Sequence, residues 1–296
     1  MLHNEFAIDP AQIQSLNDIR LLEARFGFDK GALISGFPKA WFKEVADRIT
    51  RLVSGQQADN VTDELQLLKS NAVVNFNRVY NPPNWLSAVN NSNQIKPFHR
   101  IVEHTLAQPP EQIANINALK NADFSVTPQI IRSAQVLSRA AEGILFNAEK
   151  VSIIDPFICI TGRGYKTTLL EMMRLCQKQN VSFHVFCEDE GKADWERTRK
   201  PALENFKREL PDNIDLNWYS LSDGDNGYLH QRSIFTAKGG IIYDRGFSQP
   251  GDIDQRNTLM DINLMPLATL EQKSGEFNEI IQSPNFTLVH PVWGSK

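Results

Sequence analysis

Residues 126–296 read as an α/β domain with a mixed sheet flanked by helices, and residues 1–125 as a mostly helical domain in front of it. Two patterns carry this expectation. Between residues 151 and 219, compact β-branched runs alternate with amphipathic stretches, the order that parallel strands joined by right-handed crossovers require. Between residues 10 and 74, apolar residues recur every three or four positions, the period of helices packed on one face.

The elements follow in order. Ile13, Leu16, Ile19, Leu22 and Phe26 share one helical face over 10–26. Trp41, Val45, Ile49 and Val53 do the same over 37–53, with Pro38 at a first-turn position. A third helix is expected over 61–74. Asn and Pro clusters (Asn81-Pro82-Pro83-Asn84, Pro109-Pro110) interrupt every run from 75 to 125, which reads as short helices in loops, packed by Trp85, Phe98, Ile101 and Leu106. Thr127-Pro128 has the form of an N-cap and first-turn proline for a long helix through Ile144. Strands are expected over 151–154, 181–186 and 214–219, alternating with helices over 169–177 and 195–210. Strands over 229–236 and 240–243, three residues apart, make a hairpin. A strand over 258–265, a helix over 267–281 and a last strand over 285–290 complete the domain.

The totals exclude several function classes. The chain has 296 residues, 41% of them apolar, and a formal net charge of −4, so a polyanion contact must be local. Three cysteines without metal-ligand spacing read as reduced thiols, and no metal or cofactor is expected. No basic region leads into an apolar run at the N-terminus, and no 18-residue apolar stretch occurs, so the expectation is a cytoplasmic chain without a transmembrane segment.

The chemistry concentrates at His230-Gln231-Arg232. Phosphodiester chemistry without metal needs a nucleophile and a cation for the equatorial oxygens, and a histidine two residues from an arginine supplies both. On one strand the two would share a face, about 7 Å apart at Cα. A purely structural alternative pairs them with Asp244 or Asp225. Arg163 and Lys166 follow a strand end, where ligands of α/β sheets bind, and are placed to help hold the same phosphate. Their segment, Thr161 to Thr168, lacks Walker spacing and otherwise reads as a plain strand-to-helix turn. Glu188-Asp189-Glu190 reads as a solvated loop, helix 195–208 as a solvated helix with local ion pairs, and His184 as a satisfied core histidine.

The run from His230 to Ser248, with Asp244-Arg245-Gly246 near its end, resembles the phospholipase D superfamily, whose motif is His-x-Lys, a short hairpin with Asp, and Gly-Ser-x-Asn. Ile154-Asp155-Pro156-Phe157 is similar to the strand-end Asp-Pro-aromatic segment of many members. Arg232 stands in place of the Lys, Ala237 in place of the Asp, and Asp244-Arg245-Gly246 in the Gly-Ser-x-Asn region. With these departures the chain is more similar to single-motif members, such as the phospholipase D-like C-terminal domain of a microtubule-interacting and transport protein, a phospholipid-binding module. The resemblance covers roughly residues 127–296 and implies half of a phospholipase D-like fold. The candidate catalytic residues are then His230 and Arg232, the candidate phosphate-binding residues Arg245 together with the strand-end Arg163 and Lys166, and the supporting residues Asp155, Asp244 and Ser248.

The family mechanism uses two histidines, one nucleophile and one general acid, so hydrolysis implies a symmetric dimer bringing two copies of His230 together. Three functional expectations result. The first is a phosphate-recognition module for a lipid, nucleic-acid or nucleotide phosphate, acting within an assembly. The second is a dimeric, metal-independent phosphodiesterase or nuclease. The third is a purely structural subunit of a complex.

Overall fold

The computed structural model describes residues 2–51, 56–81, 84–104, 111–189, 195–224, 226–280 and 283–296. Val53, Pro82, Pro83, Leu106, Pro109, Pro110, Glu190 and Asp225, named in the sequence reading, lie outside the described residues. The chain divides into two compact units, His3–Val126 and Thr127–Lys296.

The first unit corrects the expectation of a mostly helical domain, because a five-stranded parallel sheet runs through it. Its elements are β1 (Asn4–Ile8), α1 (Leu16–Arg25), β2 (Ala32–Ser35), α2 (Trp41–Thr50), α3 (Gln56–Ala72), β3 (Val73–Val74), α4 (Trp85–Ile95), β4 (Arg100–Val102) and β5 (Gln112–Ile113). The sheet order is β3-β2-β1-β4-β5, with every neighbouring pair parallel. Phe6 and Ile8 on β1 face a core built with Ile19, Leu22, Trp41, Val45, Ile49 and Leu65, while Ala7 faces Ala88, Val89, Phe98 and Ile101. Both faces are therefore covered, as parallel sheets demand. Strands of two to five residues give too little alternation to be told from helix by period, which is why the sheet was hidden.

Local capping agrees with these helices. Ser15 accepts from the Asp18 N–H at the start of α1, and Asn84 accepts from the Ser87 N–H at the start of α4. Pro38 lies ahead of α2 rather than in its first turn. Trp41 Nε1 donates to the Ile8 carbonyl at 2.6 Å, pinning α2 to β1. The unit also holds a buried ion pair, Arg78 to Glu5 at 2.6 Å, with Ser35, Ser92 and the Lys96 carbonyl completing its hydrogen bonds.

The second unit is α/β with a mixed sheet flanked by helices. Its elements are β6 (Gln129–Ile131), α5 (Ala134–Ala140), α6 (Glu142–Leu145), β7 (Lys150–Ile154), α7 (Arg163–Arg174), β8 (Val181–Glu188), α8 (Lys200–Lys207), β9 (Ile214–Ser222), β10 (Ser233–Phe235), β11 (Gly240–Tyr243), α9 (Ile253–Arg256), β12 (Leu259–Leu264), α10 (Leu267–Asn278), β13 (Thr287–Leu288) and β14 (Trp293–Gly294). The main path through the sheet is β13-β9-β8-β7-β10-β11-β12-β6, and β14 also pairs with β9. β7, β8 and β9 are parallel, and the β10–β11 hairpin joins antiparallel to β7.

The start of this unit differs from the sequence reading. Pro128 accepts the Ile262 N–H at 2.8 Å, and β6 pairs with β12, so Thr127-Pro128 opens a strand and not a helix. The helix begins after Ser133, whose side chain accepts the Val136 N–H. Leu137 of α5 and Leu169, Met172 and Met173 of α7 are buried, and Tyr243 donates its hydroxyl to the Leu137 carbonyl at 2.8 Å, tying α5 to β11. In a second core, Leu270 and Phe277 of α10 pack with Ile154, Phe186, Phe235 and Met265.

Candidate anion site at the sheet rim

The carboxyl ends of β7, β8 and β9 and the start of β10 lie at one rim of the second unit's sheet. Each of the three parallel strands ends in a buried aspartate: Asp155, Asp189 and Asp223. Asp189 is held by Arg199 at 3.0 Å; His290 Nε2 lies 3.3 Å from the same carboxylate without a hydrogen bond, and His290 stacks on Trp195. The acidic stretch expected as a solvated loop is thus, at Asp189, an internal ion-pair centre. Asp223 accepts the Leu229 N–H at 3.1 Å and shapes the loop into β10.

Asp155 is the centre of the candidate site. Ile154 pairs with Ser233 across antiparallel strands, so the next position outward sets Asp155 opposite Arg232. Asp155 has no exposed surface; Oδ1 accepts the Phe157 N–H at 3.0 Å, and Oδ2 accepts the Phe247 N–H at 3.3 Å. Arg232 Nε lies 3.8 Å from Oδ1. Burial raises the carboxyl pKa to about 6, against the pull of those two hydrogen bonds and of the guanidinium.

Gly246 closes the turn above this pair with φ of +71°. A Cβ there would lie 2.4 Å from Asp155 Oδ2 and 2.8 Å from Arg232 Cδ, so both the backbone and the close approach require glycine. The turn presents the Asp244 carbonyl to Arg232 Nη1 at 2.5 Å. Asp244 thus supports the site through its backbone, while its exposed carboxylate lies 3.8 Å from the equally exposed Arg245 Nε. That contact is too solvated to hold Arg245 firmly.

His230 does not share a strand face with Arg232. The strand expected from residue 229 begins at Ser233, because Leu229 is pulled into the core and Gly227, with φ of +79°, turns the chain just before it. His230 sits in that turn, exposed, with its N–H donated to the Gly227 carbonyl at 3.3 Å. Among the described residues its ring has no hydrogen-bond or ion-pair partner. Of the structural alternative, Arg232 finds the Asp244 backbone, with Asp155 besides, while Asp225 lies outside the described residues.

Arg132 joins the cluster without having been singled out from sequence. It follows β6, donates Nη2 to the Ser248 carbonyl at 3.4 Å, and leaves its buried Nε without a hydrogen-bond partner among the described residues. Burial and the nearby Arg245 lower its pKa. Tyr165 lies close to Asp155, Arg232 and Arg132, and burial followed by the Asp155 charge raises its phenol pKa. The signal that would have revealed Arg132 was the pairing of β6 with β12, which puts its segment beside 248–249, and no local pattern encodes that.

Two other expected residues are not brought here. Lys166 pairs with Glu209, and with Arg163 it lines a cleft of about 550 Å³ between α7 and α8. Both lie on the first turn of α7, whose Gly164 packs against Ser248 and the Gln249 carbonyl. Ser248 therefore acts as part of the wall, through its carbonyl to Arg132. His184 is half-buried rather than in the core; its ring bonds Ser182 and Tyr219, and burial lowers its pKa to about 4.

Among the described residues no group of three His, Cys, Asp or Glu side chains is arranged to hold a metal, and no helix is long and apolar enough to cross a membrane. Neither the family models nor the curated proteins contain a match to this chain.

Proposed function

We propose that the second unit is a phosphate-recognition module of phospholipase D-like type whose site is the rim around Asp155. The observation that carries this reading is Arg232, whose guanidinium is fixed by buried Asp155 and the Asp244 carbonyl while its Nη2 has no hydrogen-bond partner among the described residues. Asp155 and the Asp244 carbonyl orient Arg232 without using all five of its donors. Arg245 is exposed beside it, and Arg132 keeps a buried donor unsatisfied, so three cations face two carboxylates. An anion at this rim gains several charge-assisted hydrogen bonds with little reorganisation.

Equilibrium binding of inorganic phosphate and pyrophosphate to the full chain tests the reading. Saturable binding that weakens with salt, and weakens roughly tenfold in a His230→Ala, Arg245→Ala double variant, is the expected result. Binding that is unchanged in the double variant refutes it.

A dimeric phosphodiesterase is favoured by one observation, the exposure of His230, which leaves its ring accessible to a second copy. A generic phosphodiester incubated in excess chelator distinguishes the two. Hydrolysis that survives chelation and vanishes in His230→Ala establishes the second reading.

A further inference from the structure

We propose that the phosphate held at this rim belongs to a nucleotide, and that Phe157 is the plane on which its base stacks. The inference rests on the phosphate-site reading and adds the class of ligand. Phe157 is 61% exposed, although its neighbours Pro156 and Ile158 are buried. The turn after β7 therefore shows solvent one aromatic ring and nothing else apolar on either side.

The turn that carries that ring is held in place. The Phe157 backbone N–H is donated to buried Asp155, and the Ile158 N–H is donated to the Asp155 carbonyl at 3.1 Å. The Arg232 guanidinium lies over the ring, its Cζ 5.1 Å from the centroid. One carboxylate thus positions both the exposed aromatic and the cation. An aromatic plane beside a cationic rim is the arrangement by which unpaired nucleotides are bound, the base by stacking and the phosphate by charge. Insertion into a lipid surface calls instead for a contiguous apolar face, and burial of Pro156 and Ile158 removes that here.

The test measures equilibrium binding of adenosine 5′-monophosphate, ribose 5-phosphate and an oligodeoxyadenylate to the full chain and to Phe157→Leu and Phe157→Tyr. The expected result is adenosine 5′-monophosphate binding roughly tenfold tighter than ribose 5-phosphate. Phe157→Leu removes that advantage with ribose 5-phosphate affinity unchanged, and Phe157→Tyr keeps it. Tighter binding of the oligodeoxyadenylate than of adenosine 5′-monophosphate assigns the site to a nucleic-acid strand, and equal affinity assigns it to a free nucleotide; either supports the proposal.

Equal affinity of the wild type for adenosine 5′-monophosphate and ribose 5-phosphate overturns the nucleotide assignment and leaves the phosphate site standing. Failure of every phosphate to bind overturns both. Binding to phosphatidylcholine vesicles containing phosphatidic acid, without nucleotide preference and retained by Phe157→Leu, overturns the assignment in favour of a lipid surface.

Discussion

Replacing Asp155 with Asn removes one ionisable group from the middle of the rim, and its consequence can be worked from the structure. The carboxyl has no exposed surface, and burial raises its pKa to about 6 in the folded chain from the ordinary 3.8. Well below pH 3.8 both folded and unfolded chains carry it protonated, so its stability contribution is fully present. As pH rises toward 6 the unfolded chain releases the proton first, and stability falls until the folded group also ionises. At about 1.4 kcal/mol per pH unit the loss reaches about 3 kcal/mol above pH 6.

Urea unfolding of wild type and Asp155→Asn at intervals from pH 4 to pH 7 measures it, read on the transition of the second unit. Asn also alters the hydrogen bonds to Phe157 and Phe247, but that change is independent of pH. Only the pH-dependent part of the difference reports the ionisation. The expected outcome is a wild type that loses about 2.4 kcal/mol relative to the variant between pH 4 and pH 7, the remainder of the full loss falling below pH 4. A difference that stays constant from pH 4 to pH 7 refutes the argument that burial outweighs Arg232 and the two N–H donors.

Two further outcomes follow from the same physics. Gly246→Ala forces a left-handed backbone on a residue with a Cβ and drives that atom into Asp155 and Arg232. It is expected to destabilise the second unit by roughly 1–3 kcal/mol in thermal unfolding and to weaken phosphate binding. In the first unit, Arg78→Ala strands the buried Glu5 carboxylate, whose partner and its own side chain are each less than a tenth exposed. Loss of about 3–5 kcal/mol in denaturant unfolding is expected, and a loss below about 1 kcal/mol contradicts the pair's importance.

The legibility of the chain tracks the length of its elements. β8 and β9, of eight and nine residues, announce themselves through Val181 to Phe186 and Ile214 to Tyr219. β3 and β5 have two residues each, and β4 three, so in the first unit only the helical period showed. Gln129–Ile131 read as helix because Thr127-Pro128 is a fair helix start, and pairing with β12 overrode it. For the site, Arg232, Asp155 and Asp244 were found by motif and do meet, although Asp244 contributes a carbonyl where a carboxylate was expected. Lys166 was placed by its nearness in sequence to a strand end, and one helical turn directs it to Glu209 instead.

By itself the sequence determined the alternation of strand and helix in the second unit, the β10–β11 hairpin, and the residue types available for anion chemistry, because periodicity and turn residues are local. Only the tertiary structure decided that Asp155 opposes Arg232, that Arg132 joins them from a distant edge strand, and that Leu229 turns His230 off the strand. Strand register, burial of a carboxylate and anchoring of a loop depend on residues far apart in the chain, and no window of neighbours contains that information.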